Sequence, residues 1–310
     1  ERIQTFHGAS DAEQSISSAI SDLENAFGQL STSPEDIFLQ NDVLNSALEV
    51  ANTFNDFGDL ITNTRNDAQN EMRSTVTSIN ELLENIASLN NAIKRDFNLS
   101  RSTAALEDQR DIAIKELSKM VDISTYTRGD AVMVIQTKGG TILADDSAQE
   151  LYFNPTTLSS GTTGASIYLN DTSGLDLGTT NLGGSLGALL ELRDETLPAY
   201  QAQADELAHK LTLRFAAQGM VLFTDGSGDV PGLAVADYLG YASEIQVNTD
   251  IIADTSLLRD GTEASITVGE ASSDVIQKIL DFTFGDSEEI TAAGTADLLA
   301  GADLFAALGL

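Results

Sequence analysis

Residues 34–97 read PEDIFLQNDVLNSALEVANTFNDFGDLITNTRNDAQNEMRSTVTSINELLENIASLNNAIKRDF, and this stretch decides the fold. A stripe of mostly apolar or small side chains recurs in it at alternating steps of four and three. Before a polar interval the stripe consists of Val43, Ala47, Val50, Phe54, Phe57 and Ile61, and after it of Met72, Val76, Ile79, Leu83, Ile86, Asn90, Ile93 and Phe97. This spacing places them on one face of a helix. The pattern predicts a single helix ~95 Å long, at about 1.5 Å per residue.

The polar interval at 65–71 shifts the stripe by one residue. We expect the helix to change its packing partner or to bend there. Asn90 lies on the stripe and is predicted to fix the packing register, as a polar core residue does in coiled coils. The alternative is an ordinary bundle helix with Asn90 at the edge of its apolar face.

Three further helices are predicted around this one. The first covers Ser10–Leu30 and starts with Ser10 and Glu13 at the spacing of a capping box. Ser33 is the expected N-cap of the long helix, with Pro34 at its first position. A shorter helix covers Thr103–Met120.

The last of the three, Ser185–Phe215, is the natural antiparallel partner of the long helix. Pro198 lies within it and is predicted to bend or divide it, because proline removes a backbone donor. Its expected apolar stripe consists of Leu186, Leu189, Leu190, Leu197, Tyr200, Ala204, Leu207, Leu211 and Phe215. Two shorter helices are predicted later in the chain, at Ile251–Arg259 and Ser273–Phe282.

Between the helices the period changes from helical to alternating. Short strands are predicted at Ile123–Thr127, Ala131–Thr137, Thr141–Ala144, Gln149–Phe153 and Ala165–Asn170. Because the predicted strands are few, the sheet they form needs to pack against the helices for stability. The predicted fold is therefore mainly α, a long antiparallel bundle with an inserted small β domain, in a multi-domain α+β chain. Residues 1–121 and 183–310 form the helical parts, and 122–182 the insertion, whose two ends are expected to lie close together.

Composition excludes several classes of function. A net charge of -32 argues against binding nucleic acid or an anionic membrane, since both require basic patches. Without cysteine, the chain has no disulfide, thiolate metal site or cysteine nucleophile. No apolar run approaches the ~18 residues of a transmembrane helix. Because the sequence starts at Glu1, we expect a piece of a longer protein.

The candidate sites each have a simpler interpretation. Asp225, Ser227 and Asp229 have the spacing of a calcium loop, but Val230 replaces the required glycine, so a turn is favoured. Gly183-Gly184 precedes a helix without a phosphate-binding lysine, and Ser185 as N-cap is the simpler account. The sequence indicates no catalytic residue, cofactor or metal, and therefore no enzyme.

The remaining polar candidates also have ordinary structural explanations. His7 and His209 are the only histidines, and His209 is expected to be a solvated or half-buried helix residue. The adjacent acids Asp145-Asp146 and Glu288-Glu289 are expected to be solvated surface residues.

Three blocks resemble the flagellar hook-associated proteins. They are residues 106–111 with 116–119, residues 183–194 continuing into Leu197-Pro198 and 205–208, and residues 245–248 with Asp254 and 256–261. Their order and spacing agree with the family over most of the helical part. The resemblance is weaker in the β insertion and after Thr262.

The resemblance implies a structural, axial adaptor of the bacterial flagellum, exported through the flagellar type III channel and located outside the cell. It also implies hook protein, a second junction protein and an export chaperone as partners, and self-association in a ring through terminal helices that this chain lacks. Without those helices the chain is expected to be monomeric. The alternatives are a flagellin, the other junction protein, or an adhesive or ligand-binding β module on a helical stalk.

Overall fold

The computed structural model describes residues 15–262 and 272–285, and it is mainly α-helical with small antiparallel sheets. The chain divides into two compact units. The first unit consists of residues 1–62 and 198–310, and the second of residues 63–197. Among the described residues, none of the helices combines the length and apolarity needed to cross a membrane. The predicted Ser10–Glu13 capping box, His7, Glu288-Glu289 and the chain after Gly285 lie outside the described residues.

The elements follow in chain order. The helices are α1 (Ile16–Leu30), α2 (Ile37–Asn98), α3 (Ala104–Met120), α4 (Gly184–Glu191), α5 (Leu197–Ala217), α6 (Val235–Tyr238), α7 (Thr249–Ala253), α8 (Leu257–Asp260) and α9 (Asp274–Lys278). The strands are β1 (Ile123–Thr127), β2 (Met133–Thr137), β3 (Ile142–Ala144), β4 (Leu151–Tyr152), β5 (Tyr168–Leu169), β6 (Phe223–Thr224) and β7 (Gln246–Val247). They form sheets β1-β2-β3, β4-β5 and β6-β7.

The long helix α2 confirms the central sequence prediction. Every stripe residue from Val43 to Ile93 is buried, and only Phe97, 51% exposed, departs from the pattern. The predicted start was wrong. Residues 33–36 close a turn instead, in which the Asp36 N–H donates to the Ser33 carbonyl at 3.0 Å. The Asp36 carboxylate then caps the helix by accepting the Phe38 N–H at 2.8 Å.

The first unit is an antiparallel helical bundle. Ile16, at the start of α1, lines a cleft with Phe57 of α2, whereas Gln29, at its end, lines a cleft with Asp42. Ala204 of α5 shares the cleft with Phe57, and eleven positions further along, the Phe215 ring lies 5.7 Å from the Phe27 ring. Both α1 and α5 therefore run opposite to α2.

The second unit packs its strands on the later half of α2. One core joins α2, α3 and α4 to the strands, and its members include Ile79, Leu83, Leu117, Ile135, Leu143, Leu151, Ile167 and Leu186. The Asp122 N–H donates to the Leu182 carbonyl at 2.7 Å, which confirms that the two ends of residues 122–182 lie together. The domain boundaries predicted at 122 and 182 stay a prediction.

The stripe of α2 changes partner where its phase slips. The boundary between the units falls at Thr62/Asn63, next to the polar interval. Residues before it pack in the helical bundle, and residues after it pack against strands. The change of packing partner that the helix periodicity predicted near residue 65 is therefore observed.

The returning helix is divided, as Pro198 predicted. A π-helical turn, Leu192–Thr196, separates α4 from α5. Within α5 most of the predicted stripe is confirmed, since Leu197, Ala204, Leu211 and Phe215 are buried. Leu207 departs from the stripe with 44% exposure, while Asp205 and Ala208, which were not assigned to it, are fully buried.

Several predicted elements are shorter than expected. Strands β4 and β5 keep only two residues each of the predicted 149–153 and 165–170. The predicted helix 251–259 is split into α7 and α8, because Asp254 takes an extended conformation between them. The predicted helix 273–282 is present as α9, followed by the π-helical turn Ile279–Phe284.

Candidate functional site: the polar contacts of the long helix

A row of polar side chains on α2 binds backbone groups of the second unit. Its members are Arg65, Asn66, Gln69, Asn80, Asn90 and Asn91. Asn80 is typical: its amide donates to the Leu151 carbonyl at 2.9 Å and accepts the Leu151 N–H at 2.8 Å. The Asn80 side chain thus makes the backbone hydrogen bonds that a neighbouring strand would otherwise make.

Asn90 is the most heavily bonded member of this row. Its fully buried amide donates to the carbonyls of Met133 and Asp145, at 2.8 and 2.9 Å. Its oxygen accepts the Met133 N–H at 3.1 Å and the Arg110 guanidinium at 3.0 Å. Asn90 therefore fixes the register of packing, but against strand β2 rather than against a second helix as in a coiled coil.

Arg65 binds the loop that follows β4 and the backbone of a second arginine, Arg193. Arg65 donates to the carbonyls of Arg193 at 3.1 Å and Thr162 at 2.7 Å. Arg193, only 1% exposed, forms a bidentate pair with Asp194 at 2.8 and 2.6 Å. Burial lowers the pKa of Arg65, with the Asp194 carboxylate opposing that effect and Arg193 adding to it. Nothing in the sequence pattern indicated this cluster, since its partners are distant in the chain.

An ion-pair cluster lies near the end of α2. Lys94 lies 3.2 Å from carboxylate oxygens of both Asp130 and Asp146, and Arg128 lies 3.1 Å from Asp130 and 3.5 Å from Asp145. The prediction that Asp145 and Asp146 are merely solvated was therefore wrong. The hydrogen bond from Arg128, assisted by Lys94, lowers the pKa of Asp130 to about 2, and burial opposes this.

This cluster predicts an acid-dependent loss of stability. Because the pKa of Asp130 is lower in the folded chain than in the unfolded chain, its stabilisation is present above about pH 4 and disappears as the pH falls toward 2. We expect Asp130→Asn to lower the urea midpoint at pH 6, and the difference from wild type to vanish near pH 2. Asp111→Asn is the control, since exposed Asp111 forms no ion pair among the described residues. A pH-independent difference for Asp130→Asn would contradict the ion-pair assignment.

Asp205 on α5 is a buried carboxylate that sequence reasoning missed. It accepts the N–H groups of Gly240 at 2.8 Å and Ala242 at 2.9 Å, and the Gln201 amide at 2.8 Å. Burial raises its pKa to about 6, although these hydrogen bonds oppose the shift. Asp205 thereby fastens the turn at 240–242 to α5. Polar residues at steps of four, Gln201, Asp205 and His209, were the available signal.

The sites singled out from the sequence have structural roles. The Asp225 carboxylate accepts the N–H groups of Ser227 at 2.8 Å and Asp229 at 3.0 Å, as in a turn. Burial acts to raise the pKa of Asp225, but the hydrogen bond from the Ser227 hydroxyl and those from the backbone N–H groups outweigh it and lower that pKa. In residues 15–262 and 272–285, no group of three or more histidine or acidic side chains could hold a metal ion.

His209 is more buried than predicted, with 4% exposure. Its ring stacks on Tyr238 at 4.1 Å between centroids, and burial lowers its pKa. The His209 side chain therefore packs like an aromatic residue.

Gly183 and Gly184 are required by backbone geometry. Both have positive φ, and a Cβ at Gly184 would lie 2.6 Å from the Met120 carbonyl group. Helix α4 starts at Gly184 with Gly183 as its N-cap, so the prediction of Ser185 as N-cap was wrong. The glycines allow α4 to approach the end of α3.

Comparison with known proteins identifies the family of this chain. Residues 3–227 match the profile of the family described as "Flagellar hook-associated protein FlgK helical domain". This match covers more than half of the chain. The chain belongs to the FlgK family of flagellar hook-associated proteins. The blocks from which the resemblance was inferred contain Gly183, Gly184, Arg193, Asp194 and Asp205, and each has a packing role in this FlgK-family fold.

Two FlgK-family relatives cover parts of the chain. Flagellar hook-associated protein 1 of Bacillus subtilis (strain 168) is 28% identical over 139 residues, which is 44% of this chain and 27% of the relative. The structure of the flagellar hook junction protein FlgK from Burkholderia pseudomallei is similar in fold, with a TM-score of 0.57 and 24% identity. That match covers 70% of this chain and 40% of the other, so the chain spans less than half the length of either relative.

Proposed function

We propose that the chain is part of an axial adaptor that joins hook to filament in the bacterial flagellum. The observation that carries the proposal is the FlgK match over residues 3–227, which includes α1 to α5 and the β insertion. The structure supports a load-bearing role, because α2 runs through both units and its polar row holds the second unit's backbone at many points. Since the family consists of structural flagellar proteins, we expect no catalytic activity.

The proposed adaptor has partners on both sides. We expect hook protein below it, a second junction protein above it, and an export chaperone inside the cell before passage through the flagellar type III channel. Self-association in a ring is expected in the assembled flagellum, outside the cell.

Gene deletion in the source bacterium tests the proposal. We expect cells without the gene to be non-motile and, in electron micrographs, to carry hooks without filaments. Reintroducing the full-length gene should restore both motility and filaments, because the deletion cells lack only the junction to which the filament attaches. Filaments of normal length on deletion cells would overturn the proposal. If motility persists but surface attachment is lost, the protein would be an adhesive module instead.

In dilute solution we expect this chain to be a monomer. At a net charge of -32 copies repel one another, and a Debye length of ~8 Å screens that repulsion only partly in physiological salt. Light scattering behind size exclusion, at low and high salt, measures the mass directly. An oligomer that persists on dilution in both conditions would contradict this expectation.

A further inference from the structure

Residues 240–245 form a turn between α5 and α2 within the first unit, and we call it the latch turn. On one side, the Asp205 carboxylate of α5 accepts two of its backbone N–H groups, at 2.8 and 2.9 Å. On the other side, the Asn55 amide of α2 donates to the Ile245 carbonyl at 2.9 Å. The latch turn thus joins the two helices, and Asp205 holds it on α5.

The Asp205 carboxylate is enclosed without a cation. Asp205 is fully buried, and in residues 15–262 and 272–285 no lysine, arginine or histidine forms an ion pair with it. Lys210, on the same helix, pairs with Glu206 instead, at 2.8 Å. Three N–H donors therefore provide all the compensation for removing this charge from water, a transfer that is costly for an unpaired ion. An uncharged Asp205 avoids that cost.

Gln201 supplies an acceptor for a proton on Asp205. Its Nε2 donates to Asp205 Oδ1 at 2.8 Å, while its own Oε1 is buried without a hydrogen-bond partner. Rotation of the amide by half a turn brings Oε1 to Oδ1, where it accepts the O–H of protonated Asp205. Gly240 and Ala242 keep their acceptors, because Oδ2 and the second lone pair of Oδ1 stay available. The protonated carboxyl thus makes as many hydrogen bonds as the carboxylate, without its charge.

We propose that Asp205 is an acid-tightened latch, whose protonated form holds the latch turn on α5 more firmly than its ionised form does. The direction agrees with the pKa of Asp205, which burial raises to about 6 against the effect of its three hydrogen bonds, with the Glu244 carboxylate adding to the rise. Because this pKa lies above the ~3.9 of an unfolded chain, the stabilisation by Asp205 is complete below about pH 4 and is lost as the pH rises through 6.

The other polar groups around the latch turn do not reproduce this dependence. Burial lowers the pKa of His209, so its neutral form is favoured and its stabilisation is lost in acid, the opposite direction. Burial raises the pKa of Tyr241 further above its ordinary value, so its hydroxyl stays neutral. On the α2 side, Asn55 is uncharged. A pH dependence that disappears when Asp205 is replaced therefore belongs to Asp205.

Hydrogen exchange of the Gly240 and Ala242 amides tests the latch, with Asp205→Asn as the variant that cannot titrate. After correction for intrinsic rates, we expect protection in the wild type, relative to the variant, to fall about tenfold from pH 5 to pH 8. This is the change for a carboxyl with a pKa of about 6 in the closed turn and ~3.9 in the open one. The Ile135 amide, buried in the second unit, is the internal control, whose ratio should stay constant.

Titration of the wild type keeps the proposal testable if Asp205→Asn does not fold. Carbon-13 NMR follows the Asp205 carboxyl carbon, assigned through the backbone. We expect its midpoint at about pH 6, and the Gly240 and Ala242 amide shifts should follow the same midpoint. A protection ratio that is unchanged from pH 5 to pH 8, or a carboxyl midpoint at the ~3.9 of an exposed aspartate, would overturn the proposal.

Discussion

Leu83→Asp should unfold the second unit. Leu83 is fully buried in the core that joins α2 to the strands. Loss of its packing costs about 2–5 kcal/mol, and an unpaired buried charge adds several more, against a total stability of about 5–15 kcal/mol for a typical domain. We expect the amides of α2 between Met72 and Ile93 to lose their protection from hydrogen exchange.

Glu81→Ala is the matched control for this substitution. Glu81 is exposed two residues away on the same helix, so its replacement should change the free energy of unfolding by less than about 0.5 kcal/mol. Urea unfolding followed by circular dichroism compares the two variants. Similar midpoints would mean that the stripe is not the core of this unit.

Asn90→Leu should destabilise the second unit by about 2–5 kcal/mol, even though leucine has a similar size and is apolar. The substitution leaves the Met133 N–H and the Asp145 carbonyl without their partners. It also removes an acceptor from Arg110, whose Nε already has no hydrogen-bond partner. Each buried polar group left unpaired costs about 1–3 kcal/mol.

Asn91→Ala separates this effect from a general loss of polar side chains on α2. The exposed Asn91 makes one hydrogen bond to the second unit's loops, at 2.8 Å to the Asp146 carbonyl. We expect its replacement to cost less than about 1 kcal/mol. If the urea midpoints of the two variants are equally lowered, Asn90 has no special role in fixing β2.

The long helix was predictable because its signal is local and repeated. The stripe from Val43 to Ile93 recurs at a fixed period, and burial of one face of a helix enforces that period. The turn before α2 was harder to predict, because Ser33 and Asp36 are both good caps. The choice between them depends on how residues 33–36 close their turn.

The polar contacts were not predictable in the same way. Asn90 attracted attention only because it interrupted an apolar stripe, and its true partner is a strand 43 positions away in the chain. Arg193 gives no periodic signal, and the spacing of Gln201, Asp205 and His209 does not reveal what Asp205 binds. Their burial depends on partners that only the folded chain brings together, such as the Gln69 amide for Arg193 and the Gly240 N–H for Asp205.

The returning helix was predicted only in part. Pro198 was recognised as a point of division, but a kink and a π turn were equally compatible with it. The π turn at 192–196 adds one residue to the helical count. Ala204, Leu211 and Phe215 face the core as predicted, whereas Leu207 is exposed. The polar Asp205 is buried beside them, because the folded chain supplies its partners.

Immunogold labelling of flagella from the source bacterium tests the hook–filament assignment most directly. Antibodies raised against this chain should bind intact flagella in one narrow band at the boundary between hook and filament, because a junction protein occupies that position alone. Label along the whole filament, as expected for a flagellin, or on the cell surface away from flagella would contradict the assignment.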